Sequence, residues 1–214
     1  MARLSNLLGV VVGAAIAANL LANGLEPVKL PAPRSDGGKP LMQALKERKS
    51  TRAFSSKELS LQQVSDLLWA ANGINRPATG HRTAPSARNS QEIDIYVVMA
   101  KGAYIYNAKS NILEPVVEGD LRAKMGRQPF VSEAPVVLVF VANYDRFGNM
   151  AESDKAFYAA TDTGYVSQNV YLYCASEGLA TVVLGNIDRN GIAEALKLGA
   201  NQKVVLTQPV GYPK

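Results

Sequence analysis

Apolar and polar positions divide the chain into an apolar head, a stretch without period and a long patterned body. Leu7 to Leu21 is built from Leu, Val, Ala, Gly and Ile and is broken only by Asn19. Residues 23 to 40 carry breakers, Leu30-Pro31-Ala32-Pro33 and Ser35-Asp36-Gly37-Gly38, and read as a linker. Folded sequence is expected from about Leu41. A helix is predicted over residues 40–49, with Leu41 and Leu45 on one face. A second begins at Ser60, where Gln63 three residues on completes a capping box. Leu61, Val64, Leu67, Leu68 and Ala71 follow helical spacing as far as Asn72-Gly73, a stop signal.

Residues 75–92 are rich in Pro, Gly, Ser and Asn and read as a long loop, a feature that is usually functional in a compact domain. Ile93 to Met99 is β-branched and aromatic, a strand. Residues 102–118 have the pattern of a hairpin, and Asp120 to Met125 that of a short helix. Ala134 to Ala142 is almost wholly apolar and predicts a central strand buried on both faces. A long helix follows from Glu152 to Glu177, closed by Gly178. Ala180 to Leu184 reads as a strand, Ile187 to Leu198 as a helix and Lys203 to Thr207 as the last strand. There are no internal repeats. Helices first, then strands and helices mixed around a hairpin, make an α+β domain over residues 41–214.

Composition narrows the function classes. The 214 residues suit one domain, with or without a short leader. An apolar share of 47% can fill a core, and a charged share of 19% argues against a disordered chain. The net charge of +5 comes from scattered residues, without the dense basic patch of a nucleic-acid surface. One cysteine, Cys174, excludes an internal disulfide and a cysteine-cluster metal site; in its apolar stretch it reads as a small core residue. The one histidine, His81, lies in a Gly/Arg-rich loop, and nothing around it suggests a nucleophile-histidine site. Neither G-x-G-x-x-G after a strand nor a P-loop is present.

Arg3 followed by the apolar head and small residues around Ala15-Ile16-Ala17 resembles a signal peptide over residues 1–22. The run is short for a stable membrane span. Export to the periplasm is the expectation; an uncleaved anchor, or a cytoplasmic protein with a packed helix, are the alternatives.

Two polar segments carry candidate chemistry. In Arg48-Lys49-Ser50-Thr51-Arg52-Ala53-Phe54, three basic residues flank two hydroxyls just past a helix. Alternate residues of an extended chain point the same way, so Arg48, Ser50 and Arg52 converge on one side. Two guanidinium forks and a hydroxyl suit a phosphate. The plainer alternative is a solvated basic helix end that complements the helix dipole. Arg82 to Gln91 is a polar loop feeding a strand; it suits a polar ring edge, or is a surface turn.

In order along the chain, these segments resemble the nitroreductase family. The likeness lies in R-K-S-T-R-A-F from Arg48, P-S-A-R-N-S-Q from Pro85, and Gly126-Arg127-Gln128-Pro129-Phe130 before the central strand. It continues through Asp162 to Asn169, Gly178 to Gly185 and Pro209 to Lys214. In wording it is most similar to the azoline-oxidase branch. The resemblance implies a nitroreductase-like α+β fold, a mainly antiparallel sheet flanked by helices, and a homodimer binding FMN at its interface. It implies that Arg48, Ser50 and Arg52 hold phosphate and ribityl chain, with Lys49 near the pyrimidine and Gln128 on its edge. Pro85, Ser86, Ala87 and Asn89 would come from the partner subunit. Leu184 and Gly185 would lie along the ring, and Lys214 would reach the phosphate. The family pattern continues with a basic tail beyond the Gly-Tyr-Pro segment, where this sequence ends. FMN would carry the chemistry, with Lys49 as an electrostatic aid and no protein acid or base required. Three functions follow: an FMN oxidoreductase passing hydride from NAD(P)H to a nitroaromatic, quinone or similar acceptor; a dehydrogenase of peptide azolines; or a flavin- or nucleotide-binding protein without turnover.

Overall fold

The structure, a computed structural model, describes residues 24–214; the expected signal segment, residues 1–22, lies outside the described residues. β1 (Val28–Lys29) precedes two helices, α1 (Leu41–Glu47) and α2 (Leu61–Asn72). A small hairpin, β2 (Ile74–Arg76) and β3 (His81–Arg82), leads toward β4 (Ile93–Met99). β5 (Gly102–Asn107) and β6 (Ile112–Glu118) form the expected larger hairpin. β7 (Val136–Asn143), α3 (Glu152–Glu177), β8 (Ala180–Thr181), α4 (Arg189–Ala195) and β9 (Gln202–Gly211) complete the order. Seven strands make one antiparallel sheet in the order β1-β6-β5-β4-β7-β9-β8. The α+β fold is the one the sequence predicts.

β7 explains why its residues are all apolar. Val136, Leu138, Phe140 and Ala142 pack into the layer of α2 and α3, with Val64, Leu67, Leu68, Val166 and Val170. Val137, Val139 and Val141 pack on the opposite layer, with Met125, Val182, Leu184, Ile192 and Leu196. A period of two sends neighbours to opposite faces, and both faces are covered. Burying one such side chain stabilises the fold by roughly 1.5–3 kcal/mol.

The helix ends are set locally. At Ser60 the hydroxyl accepts the Gln63 N–H at 3.2 Å, and the Gln63 side chain accepts the Ser60 N–H at 3.0 Å. α3 stops at Gly178, whose φ of 69° is left-handed and costs a glycine nothing.

Several expectations are corrected. The stretch read as a linker is packed from Leu25 onward: Leu25 and Leu30 are buried, and β1 pairs with β6. The Arg34 side chain and backbone N–H both bind the carboxylate of buried Asp66 at 2.7–2.9 Å. Breakers hid this because an edge strand tolerates flanking proline. The loop at 75–92 holds the small hairpin, and the short helix near residue 122 is a 3-10 turn, Arg122–Lys124. The helix expected over 187–198 is trimmed to Arg189–Ala195, its start set by the Asp188 carboxylate accepting the Gly191 N–H. The last strand is longer than expected, ten residues from Gln202.

The strand expected over 180–184 is cut to two residues, and Pro209 is the reason. Thr181 pairs with Val210, and the same register returns at the Leu184–Thr207 bridge, so Pro209 falls opposite Val182. Proline has no N–H for the ladder. Its carbonyl accepts the Thr181 hydroxyl at 2.9 Å. The ladder therefore breaks across Val182 and Val183. Among the described residues, no helix is long and apolar enough to cross a membrane.

Candidate functional site

The segment after α1 runs along the free edge of β8. Thr51 N–H donates to the Thr181 carbonyl at 2.9 Å, and Ser55 N–H to that of Tyr212 at 2.9 Å. Phe54, 2% exposed, pairs with Pro213 and anchors the end of the segment. Extended backbone gives the expected alternation. Lys49 and Thr51 line one cleft of about 370 Å³ with Glu47, Cys174 and Pro213. Arg48 and Ser50 both meet Tyr171 of α3 instead. The Arg48 guanidinium carbon lies 5.3 Å from the ring centroid, and the Ser50 and Tyr171 hydroxyls are 2.9 Å apart. Lys49, Ser50 and Arg52 are exposed and Arg48 half-buried. Among the described residues no carboxylate forms an ion pair with Arg48, Lys49 or Arg52. Cationic and hydroxyl groups thus line a sheet edge with their charge unneutralised.

A second group lies where the ladder breaks. Val183 N–H donates to the Tyr171 hydroxyl at 2.9 Å. Leu184 is buried and Gly185 exposed. Gln128 is brought beside Leu184. A Cβ on Gly126 would lie 3.0 Å from the Leu184 side chain and 3.3 Å from the Gln128 amide oxygen, so the three residues adjoin. That oxygen is buried and accepts no hydrogen bond.

Lys214 is turned away from this region. Its ammonium stands 4.0 Å from the Glu133 carboxylate, and it lines a separate groove with Phe54, Ser55 and Arg122.

The loop of Pro85 to Asn89 is held from beneath by two carboxyls. Ala87 N–H donates to Asp162 at 2.8 Å, and the Ser86 hydroxyl accepts the Gln91 N–H at 2.9 Å. Ser90 Oγ lies 2.8 Å from both the Ala87 carbonyl and the Glu92 carboxylate. Arg88, Asn89 and Gln91 adopt left-handed φ of 54°, 55° and 48°, which a non-glycine residue holds only where surrounding contacts compel it. Pro85, Arg88 and Asn89 are left exposed at the tip. No hydrogen bond of the loop among the described residues reaches Arg48 to Arg52, Gln128 or Gly185. Within one chain, then, the structure assembles Arg48, Ser50, Leu184, Gly185 and Gln128 and leaves the loop apart.

Glu92 is fully buried, and one of its oxygens has no partner. Burial, and then the neighbouring Asp162 charge, push its carboxyl up to about 7, against the pull of Ser90. Sequence reasoning missed Glu92, Asp162 and Tyr171. A glutamate opening an apolar strand was a signal; Tyr171 looked like any core aromatic of an amphipathic helix.

These features define a class: an α+β protein with an antiparallel sheet between two layers and an anion-ready edge at β8. The family model described as the nitroreductase family matches residues 45–212. The chain belongs to the nitroreductase family, whose members are oxidoreductases. A nitroreductase relative from Methanocaldococcus jannaschii is 35% identical over 182 residues, 80% of this chain and 90% of that protein. A nitroreductase crystal structure from Ralstonia eutropha JMP134 superposes with a TM-score of 0.86 at 41% identity, covering 91% of this chain and 92% of that one. A chain of the E. coli microcin synthetase complex shares the fold alone, with a TM-score of 0.68 at 17% identity over 98% of this chain and 85% of its own.

Proposed function

We propose that this chain is a homodimeric FMN-dependent oxidoreductase that moves two electrons as hydride in alternate half-reactions. The donor is NAD(P)H or another two-electron carrier, and the acceptor a nitroaromatic, quinone or similar molecule. The observation that carries the reading is the Gln128 amide oxygen, buried without a partner beside Leu184 among the described residues. Leaving a buried acceptor unpaired costs about 1–3 kcal/mol, and an N–H on the edge of a bound ring would recover it. The charges fit as well. Arg48 and Arg52 offer guanidinium forks and Ser50 a hydroxyl to a phosphomonoester, with no carboxylate paired to either arginine among the described residues. FMN, when bound, supplies the hydride chemistry.

The protein's part is placement. Arg48, Ser50 and Arg52 bind the phosphate and ribityl end, and Gln128 fixes the orientation of the ring edge. Gly185, without a side chain, leaves its backbone open to a ring. Lys49 contributes positive charge that favours an anionic product state. The loop of Pro85, Ser86, Ala87 and Asn89, separate within one chain, is the contribution of the partner subunit. Residues 1–22 act as the export signal in this reading; the amino-terminal residue of protein recovered from periplasm and from cytoplasm tests that part.

The test of the function is reconstitution with FMN, desalting and an absorption spectrum, then anaerobic reduction by NADH, NADPH and an azoline peptide in parallel. Retained flavin reduced by a nicotinamide supports the proposal. Reduction by the azoline alone would assign the peptide dehydrogenase reading, and retained flavin without turnover the binding-protein reading. Absence of flavin after desalting defeats every flavin reading and leaves only nucleotide binding without turnover.

A further inference from the structure

Tyr171 stands between the two halves of the flavin site without belonging to any motif. Its hydroxyl receives the Val183 N–H at 2.9 Å and meets the Ser50 hydroxyl at 2.9 Å, while its ring lies under Arg48. The Val183 contact follows from register rather than from the break at Pro209. In that register Leu184 and Thr207 exchange both N–H bonds, at 2.8 and 3.2 Å, so the N–H of neighbouring Val183 faces away from β9. Without the phenol it would have no acceptor inside the fold.

The relative acidities of the two hydroxyls set a direction for the proton between Tyr171 and Ser50. The Val183 N–H occupies one lone pair of the phenol oxygen. A phenol is a stronger donor than an alkyl alcohol, so the Tyr171 O–H points at Ser50 Oγ. Ser50, its oxygen already serving as acceptor, is left with its own proton free toward the exposed side.

The geometry points to Tyr171 as a positioning residue: it orients the Ser50 hydroxyl as a donor to the flavin phosphate and ties that donor to the Val183–Gly185 segment along the ring. This rests on the FMN reading above. Tyr171 touches no reacting atom; it acts through Ser50 and the backbone of Val183.

Full-length wild type, Tyr171→Phe, Ser50→Ala and the double variant are titrated with FMN and with riboflavin, read by flavin fluorescence. Circular dichroism and Tm check folding in each. Tyr171→Phe keeps the ring under Arg48 and is expected to weaken FMN binding about tenfold, the worth of one oriented hydrogen bond. Riboflavin, which lacks the phosphate, should weaken by less than about threefold, so the preference for FMN falls. Coupling through Ser50 makes the double variant no more than about twofold weaker than Ser50→Ala. An unchanged FMN-to-riboflavin preference in a folded Tyr171→Phe protein overturns the inference, as does an equal loss for both flavins. Additive losses in the double variant also overturn it. A wild type that binds neither flavin removes the cofactor reading itself, and this inference with it.

Discussion

Arg48→Ala and Arg52→Ala separate an anion site from a basic helix end. Neither arginine has an ion-pair partner among the described residues, and Arg52 is exposed, so little native structure depends on its charge. Each variant is expected to weaken FMN retention by about 1.5–3 kcal/mol, the range for a charge-assisted contact, with Tm almost unchanged for Arg52→Ala. Equilibrium dialysis measures this, and full retention in both variants would return the segment to a solvated helix end. Glu92 supplies the pH-dependent case. Burial first, and Asp162 second, push its carboxyl up to about 7 in the fold, above the ordinary value of 4.5. Between these values the native state holds a proton that the unfolded chain has released. Stability should therefore fall as pH rises through that window and level off above it, by at most about 3 kcal/mol. Glu92→Gln should flatten the curve and be the more stable protein at pH 8; urea midpoints from pH 4 to 8 decide. Charged residues such as Arg48 were legible in the sequence because an unpaired polar cluster breaks an apolar pattern. Tyr171 and Asp162 were not, because their roles lie in tertiary contacts that helical spacing does not report.

Among the elements, those set by local chemistry were read well and those set by a neighbour were not. α2 and α3 carry their own start and stop residues: a capping box at Ser60 and a left-handed Gly178. Ser60→Ala should accordingly lower stability by about 1 kcal/mol, seen as a shifted denaturant midpoint with an unchanged slope. A loss below a few tenths would mean that the cap seen here is not formed in solution. β8 shows the opposite case. Ala180 to Leu184 is apolar and β-branched throughout, yet pairs at Ala180, Thr181 and Leu184 only, because the residue across the sheet from Val182 is a proline 27 positions further on. The stretch at 24–40 was misread for the same reason: Val28, Leu30 and Arg34 find partners at Leu113, Asn111 and Asp66, far along the chain. The candidate site sits at such places, where the outer edge of β8 and of the residues after it is met by Thr51 and Tyr171.

On the scale of the whole molecule, α1 and α3 leave large apolar side chains exposed. Phe157 and Tyr165 of α3 are 65% and 47% exposed, and Leu41 and Met42 of α1 are 62% and 75% exposed. Large apolar side chains exposed on neighbouring helices mark an interaction surface, and α1 and α3 pack on one another. Gly164 lies on the same exposed side of α3, and a Cβ there would meet nothing within 4 Å. A glycine inside a helix costs about 1 kcal/mol relative to alanine. The chain has no internal use for that cost, whereas a second α3 approaching closely would. The two possibilities predict opposite outcomes for Gly164→Leu. In a monomer the substitution fills open solvent, gains helix propensity and raises Tm. In the proposed homodimer it wedges the helices apart, shifts light-scattering mass from dimer toward monomer and lowers Tm in a concentration-dependent way. Flavin retention should fall with it, because in the proposed reading the loop of Pro85 to Asn89, which makes no hydrogen bond to Arg48 or Gln128 among the described residues, completes the site from the partner. A Gly164→Leu protein that stays dimeric and keeps its flavin would place the interface elsewhere, and a wild type that is monomeric while holding FMN would remove the partner's loop from the site.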